Sequence, residues 1–213
     1  MSVSVPTSAL RVGLALTDST RSEDPTRSVL CGWFVETGNA DASDFVRVTT
    51  SDSYACTVAT VRFWDPECPA VGEGRFLLGL PQGKKLTKVR DLPSPLASPK
   101  NAPPFFSLYD NENVSADYPS TKLLEALERK AEGLAPVSIA PKYLAAPQAG
   151  FVAACRAYPV TAKNFAYGVA VNLVRSGPGL PTELAHKFSV GDSPRLDVDV
   201  RTYIMPVRDE RVY

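Results

Sequence analysis

The sequence predicts a mainly β chain, an antiparallel two-sheet and jelly-roll-like sandwich with one flanking α-helix. Three observations lead there. Proline supplies 19 of 213 residues, well above the usual frequency of about 5%. Proline suits turns, strand edges and helix starts and is excluded from element interiors, so this many imply many chain reversals. Several segments alternate apolar and polar residues with a period of two, which marks half-buried strands. The regularly spaced helices that parallel strands would need between them do not stand out.

The elements follow in chain order. Residues 10–16 put Leu10, Val12, Leu14 and Leu16 on one side of an expected strand, and residues 28–36 and 45–50 supply two more. Residues 54–64 alternate Ala55, Ala59, Val61 and Phe63 against Cys56, Val58 and Arg62. Residues 75–80 and 86–92 read as a hairpin around Pro81-Gln82-Gly83-Lys84. Later strands are expected at 151–158, 167–174 and 187–190, with a helical turn at 181–186. The clearest strand is 195–205, where Leu196, Val198, Val200, Thr202 and Ile204 oppose Asp197, Asp199, Arg201 and Tyr203. One wet face on an antiparallel sheet produces that pattern.

The flanking helix is expected at 121–132, after Pro119 and before Gly133, with Leu123, Leu124, Leu127 and Ala131 at helical spacing. The tract at 93–104 holds five prolines and reads as a long ordered loop within one domain spanning 1–213. No internal repeat of fixed period is visible.

Charge and composition narrow the function classes. With 44% apolar and 22% charged residues the chain reads as soluble and globular. Lys plus Arg equals Asp plus Glu at 23 each, so the basic excess of a typical nucleic-acid binder is missing. The first 20 residues pair only Arg11 with Asp18 and make no basic arm. The amino-terminal segment lacks the cationic start and uninterrupted apolar stretch of a secretory signal, and no run reaches the roughly 20 apolar residues of a membrane helix. A cytoplasmic location is expected, or a virion or host cytoplasm for a viral protein. Cys31, Cys56, Cys68 and Cys155 form no Cys-x-x-Cys pair and read as reduced thiols, Cys56 and Cys155 on strands.

Catalytic and cofactor chemistry finds little to stand on, and the chain is expected to be no enzyme, with no cofactor and no metal. His186 is the only histidine, which excludes a zinc site of two or three histidines within one chain. It reads as a surface or helix-end residue. Asp197 and Asp199 share a strand face as a metal pair would, yet Arg201 continues that face and a solvated surface explains all three. The acidic loop with Asp110, Glu112 and Asp117 lacks the spacing of a calcium loop. Trp33-Phe34 and Phe63-Trp64 place neighbouring aromatics on opposite strand faces.

Two clusters stand out as contact surfaces. Lys84, Lys85, Lys88 and Arg90, with Arg75 and Lys100, face only Asp91 between residues 75 and 100. They are candidate contacts for an acidic partner or nucleic acid, against the plainer reading of a lysine-guarded sheet edge. Phe105 and Phe106 are candidates for an apolar interface, and Arg208 and Arg211 for ion pairs that set its register. In its general pattern the chain resembles the jelly-roll coat proteins of small icosahedral viruses, a resemblance of fold type that no motif carries. It implies a structural, self-assembling capsid or virion subunit whose partners are copies of itself, with weak contact to nucleic acid and none to a membrane. The alternative is a monomeric binding module for carbohydrate or a protein segment.

Overall fold

The computed structural model describes residues 2–41, 43–79, 103–109, 139–157, 171–177, 180–191 and 195–205. Nine strands and two α-helices lie among them: β1 (Ser2–Pro6), α1 (Thr7–Thr17), β2 (Trp33–Ala40), β3 (Ser43–Ser51), β4 (Ala55–Phe63), β5 (Gly74–Leu78), β6 (Phe105–Tyr109), α2 (Pro141–Ala157), β7 (Asn172–Gly177), β8 (Leu180–Val190) and β9 (Leu196–Ile204). The chain is mainly β, with two antiparallel sheets. One has two strands, β1-β6, and the other has seven in the order β5-β2-β3-β4-β9-β8-β7.

That order exposes a duplication that no sequence period announces. Among the described residues, β1-α1-β2-β3-β4 and β6-α2-β7-β8-β9 each comprise a strand, a helix and a three-stranded meander. Equivalent elements of the two units meet one another: β1 pairs antiparallel with β6, β4 pairs antiparallel with β9, and α1 packs on α2. The two halves are therefore related by an approximate two-fold axis through the β4–β9 seam. β5 extends the first half by one strand along the sheet edge.

The core lies between the large sheet and the helices. Val46, Val48, Ala59, Val61, Val198 and Val200 project from β3, β4 and β9 toward Leu10, Val12, Leu14 and Leu16 of α1, all in one buried cluster. Glycine sets the helix heights at two places. A β-carbon on Gly13 would stand 2.7 Å from Cγ2 of Val48, and one on Gly150 would stand 2.7 Å from the carbonyl oxygen of Leu16. Each is well inside van der Waals contact, so α1 rests directly on the sheet and α2 directly on the end of α1. Threonines close that end: Thr50 donates its hydroxyl to the Thr17 carbonyl at 2.6 Å and meets the Thr20 hydroxyl at 2.8 Å.

Several local expectations change. Residues 10–16 form α1 rather than a strand, and 151–157 belong to α2. In α1 the alternating leucines misled because the intervening residues, Arg11 included, are buried too. Every residue from Ala9 to Thr17 is buried, and a helix buried all round has no apolar stripe to read. In α2, Ala145, Ala146, Ala149, Ala153 and Ala154 supply strong helix formers around the interior Pro147. Cys155 thus lies on a helix. Residues 181–186 are not a helical turn but part of β8, whose pairing with β9 runs unbroken from Thr182 to Val190. Residues 25–31 are a 3₁₀ segment, so β2 starts only at Trp33. The expected strands at 45–50, 54–64 and 195–205 are β3, β4 and β9. The helix expected at 121–132, the acidic loop, the second strand of the 75–92 hairpin and all of the proline tract except Pro103 and Pro104 lie outside the described residues.

Candidate functional site

The seven-stranded sheet has one face under the helices and one open face, and the alternation of strand side chains decides what the open face carries. Outward residues in register form a row across six strands: Arg75, Glu36, Arg47, Thr60, Asp199 and Lys187. Charges along this row alternate with Thr60 at its centre. Glu36 reaches Arg75 at 3.4 Å and Arg47 at 3.8 Å, and Lys187 reaches Asp199 at 2.9 Å. Arg201, one outward step beyond Asp199 on β9, lies 3.4 Å from Glu183 and 3.9 Å from Asp199. Only the Lys187 contact is short; the arginine pairs are loose and partly exposed, a class worth about 0–1 kcal/mol each.

A depression of about 180 Å³ opens at the middle of this face, lined by Arg47, Val58, Thr60, Arg62, Asp199, Arg201 and Tyr203. Its floor is Thr60, whose hydroxyl accepts from Nε of Arg47 at 3.3 Å. Beside it Asp197 accepts from the Ser189 hydroxyl at 2.6 Å and from Nε of Arg195 at 3.0 Å. The Ser189 bond, above all, holds the Asp197 carboxyl below its ordinary range. Asp197 and Arg201 are exposed on this face, whereas Asp199 is largely covered and its Oδ1 is buried without a hydrogen-bond partner. Among the described residues no cluster of histidine, cysteine and acidic side chains is placed to hold a metal ion.

His186 needs the largest correction. It is no surface residue: on the helix-facing side of β8 it is 1% exposed, and neither ring nitrogen has a hydrogen-bond partner. Its ring stacks on Phe188 with centroids 6.0 Å apart, and Phe151 of α2 meets Phe188 edge-on at 5.1 Å. Burial pushes its pKa down to about 4, against a smaller opposing pull from Asp199. The side chain is a neutral spacer in the core.

The cysteines and aromatics follow their surroundings. Burial, with a smaller push from Asp52, raises the Cys56 thiol to about 12, and burial raises Cys68 to about 11, so both are poor nucleophiles. Cys31, Cys56 and Cys68 are free thiols. Trp33 and Phe34 are both buried, on opposite faces of β2, whereas Trp64 stands exposed just past β4.

Phe105 and Phe106 lie on β6, opposite Pro6 and Val5 of β1. Both are half-buried, and Phe106 packs against the main core, so the pair belongs at least in part to the fold itself. Lys84, Lys85, Lys88, Arg90, Arg208 and Arg211 lie outside the described residues. Sequence reasoning did not single out Arg47 or the convergence of Arg62 and Arg201 on Thr60, which depends on the distant β4–β9 pairing.

Among the described residues, β5 and β7 are the terminal strands of the large sheet and each pairs with a single neighbour. At the β7 end Val171, Leu173 and Val174 are exposed, and two register shifts in the β7–β8 ladder turn consecutive side chains outward. At the β5 end Leu77 and Leu78 are half-buried.

No protein-family model matches the chain. No curated protein matches it either. Among solved structures it is similar to the DNA polymerase III beta subunit of Thermotoga maritima, at 14% identity and a TM-score of 0.40. The match covers 98% of this chain and 65% of that one, so the chain spans less than two thirds of that subunit's length. The expectation of a viral coat or virion subunit is corrected: the solved structure is a polymerase subunit. The jelly-roll resemblance that carried that expectation gives way to the observed strand order, two meanders joined at the β4–β9 seam. No helix among the described residues is long and apolar enough to cross a membrane.

Proposed function

We propose that this protein is a clamp-like, non-catalytic subunit that joins copies of itself edge to edge and holds a polyanion, duplex DNA being the first to test. The observation that carries the reading is the duplicated strand–helix–meander unit, which makes one continuous sheet whose two terminal strands, among the described residues, each have one unpaired edge. An apolar edge at β7 with Leu173 and Val174, and a different one at β5 with Leu77 and Leu78, favour a head-to-tail contact between copies. Repeated head-to-tail contacts close into rings when the rotation allows.

The helix layer supports the choice of a polyanion. α1 and α2 together hold none of the chain's 23 acidic residues, while Arg11, Lys142 and Arg156 are basic. α1 is buried, so the surface offered is that of α2, where Lys142, Leu144, Gln148 and Val152 are exposed. α2 itself adds no carboxylate to repel a phosphate backbone, and the Asp52 carboxylate at its start is offset by Lys142 at 3.3 Å. With so few cations on it, binding is expected to be weak per subunit and to depend on salt.

Light scattering of the purified, reduced chain over a range of concentrations tests the assembly. A discrete multiple of 22.9 kDa that falls to monomer in Leu173→Asp supports the reading, and a monomer under every condition refutes it. Fluorescence anisotropy with duplex DNA at low and high salt tests the partner. Binding that weakens as salt rises is expected, and no binding even at low salt removes DNA from the proposal.

A further inference from the structure

The depression on the open face of the sheet has a composition that neither the fold nor edge-to-edge assembly requires. Three arginines reach it from three strands: Arg47 from β3, Arg62 from β4 and Arg201 from β9. They surround Thr60 from different directions. Arg47 is its cross-strand partner, Arg62 is the next outward residue on its own strand, and Arg201 lies diagonally beyond Asp199. Among the described residues Arg62 makes no close ion pair, its charge acting only at longer range on its cross-strand partner Asp197, and the pairs of Arg47 and Arg201 lie between 3.4 and 3.9 Å.

The acids nearby leave this cluster positive. Asp199 is engaged by Lys187 at 2.9 Å, and Asp197 by Arg195 and Ser189. Glu36 is shared between Arg47 and Arg75, and Glu183 lies against Arg201. Each of these carboxylates has a cation beside it, although Oδ1 of Asp199 makes no hydrogen bond and lies 3.9 Å from Nε of Arg201, the closest donor a bound anion would share with it. The guanidinium groups, with five donors apiece, keep others for a further acceptor.

We propose that the depression is an anion site for a phosphate monoester, its phosphoryl oxygens received by Arg47, Arg62 and Arg201, with the Thr60 hydroxyl donating from the floor. The number of forks favours phosphate over carboxylate. A planar carboxylate presents two oxygens and is served fully by one or two guanidinium groups, whereas a phosphoryl group presents three acceptors in a pyramid that three arginines on three strands can meet together. The volume favours a monoester over bare phosphate, since about 180 Å³ equals roughly six water volumes and leaves room for a small polar substituent beside Tyr203. The site lies within one copy of the chain, so it stands or falls separately from the edge-to-edge reading.

Calorimetric titration of the full chain with ribose 5-phosphate and with inorganic phosphate, in chloride buffer at fixed ionic strength, is the test. Saturable binding of ribose 5-phosphate is expected, tighter than that of inorganic phosphate and weakened about tenfold by Arg62→Gln. Arg62 makes no close ion pair and acts only at longer range on Asp197, so that variant is expected to melt close to the parent; Arg201→Gln provides a second reading on another strand. Absence of saturation, or saturation unchanged in both variants, overturns the site. Inorganic phosphate binding as tightly as ribose 5-phosphate overturns the monoester assignment.

Discussion

Replacing His186 isolates the cost of a neutral imidazole in the core. The ring is buried, its two nitrogens have no partner, and its pKa falls from 6.5 to about 4 on folding. Below pH 6.5 the unfolded chain takes up this proton while the folded chain does not. Stability from this group is therefore complete above that pH and is lost as the pH falls toward 4. With those two values the loss is about 0.2 kcal/mol at pH 7, about 2 kcal/mol at pH 5, and about 3 kcal/mol once both states are protonated. His186 is the only histidine, and ordinary carboxylates titrate mostly below pH 5, so the interval from pH 7 to 5 reports almost solely on this residue.

Urea unfolding at pH 7 and pH 5 under reducing conditions, followed by the fluorescence of buried Trp33, measures it. The parent chain is expected to lose about 2 kcal/mol across that interval, a fall in Tm of roughly 4–8 °C for a chain of this size. His186→Phe keeps a flat ring against Phe188 and removes both nitrogens, and His186→Leu does the same with less bulk. Both are expected to hold their stability nearly constant from pH 7 to 5. An equal loss in the parent and both variants would refute the assignment and place the titrating group elsewhere.

Three further outcomes are expected. Arg11 is 5% exposed on α1, with Nε and one terminal nitrogen unpartnered, and burial lowers its pKa. Arg11→Met should therefore raise the urea midpoint, by about 1–3 kcal/mol of stability. Gly150→Ala gains about 1 kcal/mol of helix propensity but drives a methyl to 2.7 Å from the Leu16 carbonyl. A net loss of about 1–2 kcal/mol in thermal melts is expected. In timed maleimide labelling at pH 7, Cys56 should stay unlabelled in the folded chain and react on addition of urea, because its buried thiol is pushed up to about 12.

What the sequence conveyed, and what it withheld, follows from where each signal resides. β9 was legible because its two faces meet different media: Leu196, Val198 and Val200 are buried while Asp197 and Arg201 are exposed. α1 was not, because a segment enclosed on all sides loses the contrast on which periodicity depends. β8 carries the same lesson inverted. His186 and Thr182 point into the core while Lys187 and Ser189 point out, so polar residues on both faces blurred the alternation and hid an eleven-residue strand. The open-face depression was legible only as isolated outward residues. Arg62 and Asp197 become neighbours because β4 and β9 pair across more than 130 residues of chain, and no local pattern encodes such a register.

The duplication does not extend to how the two helices are covered. Two equivalent units packed about a two-fold axis would present their helices equally, yet α1 is buried all round and α2 shows an exposed stripe including Leu144, Gln148 and Val152. Gly13 and Gly150 account for part of the difference. The first lets α1 sink onto β3 and β4, and the second lets α2 approach the Leu16 carbonyl near the end of α1. α2 is then fixed at its start by Asp52 in the β3–β4 turn, which accepts from the Tyr143 hydroxyl at 2.7 Å and from Lys142 at 3.3 Å. Among the described residues the first unit thus supplies most of the shared core, and the second has an exposed helix face and an unpaired sheet edge. That division leaves the surfaces available for partners, the α2 stripe and the β7 edge, in the same half of the molecule. Substitutions at Leu173 or Gln148 should accordingly alter association while leaving the melting temperature close to that of the parent, whereas substitutions at Gly13 should do the reverse.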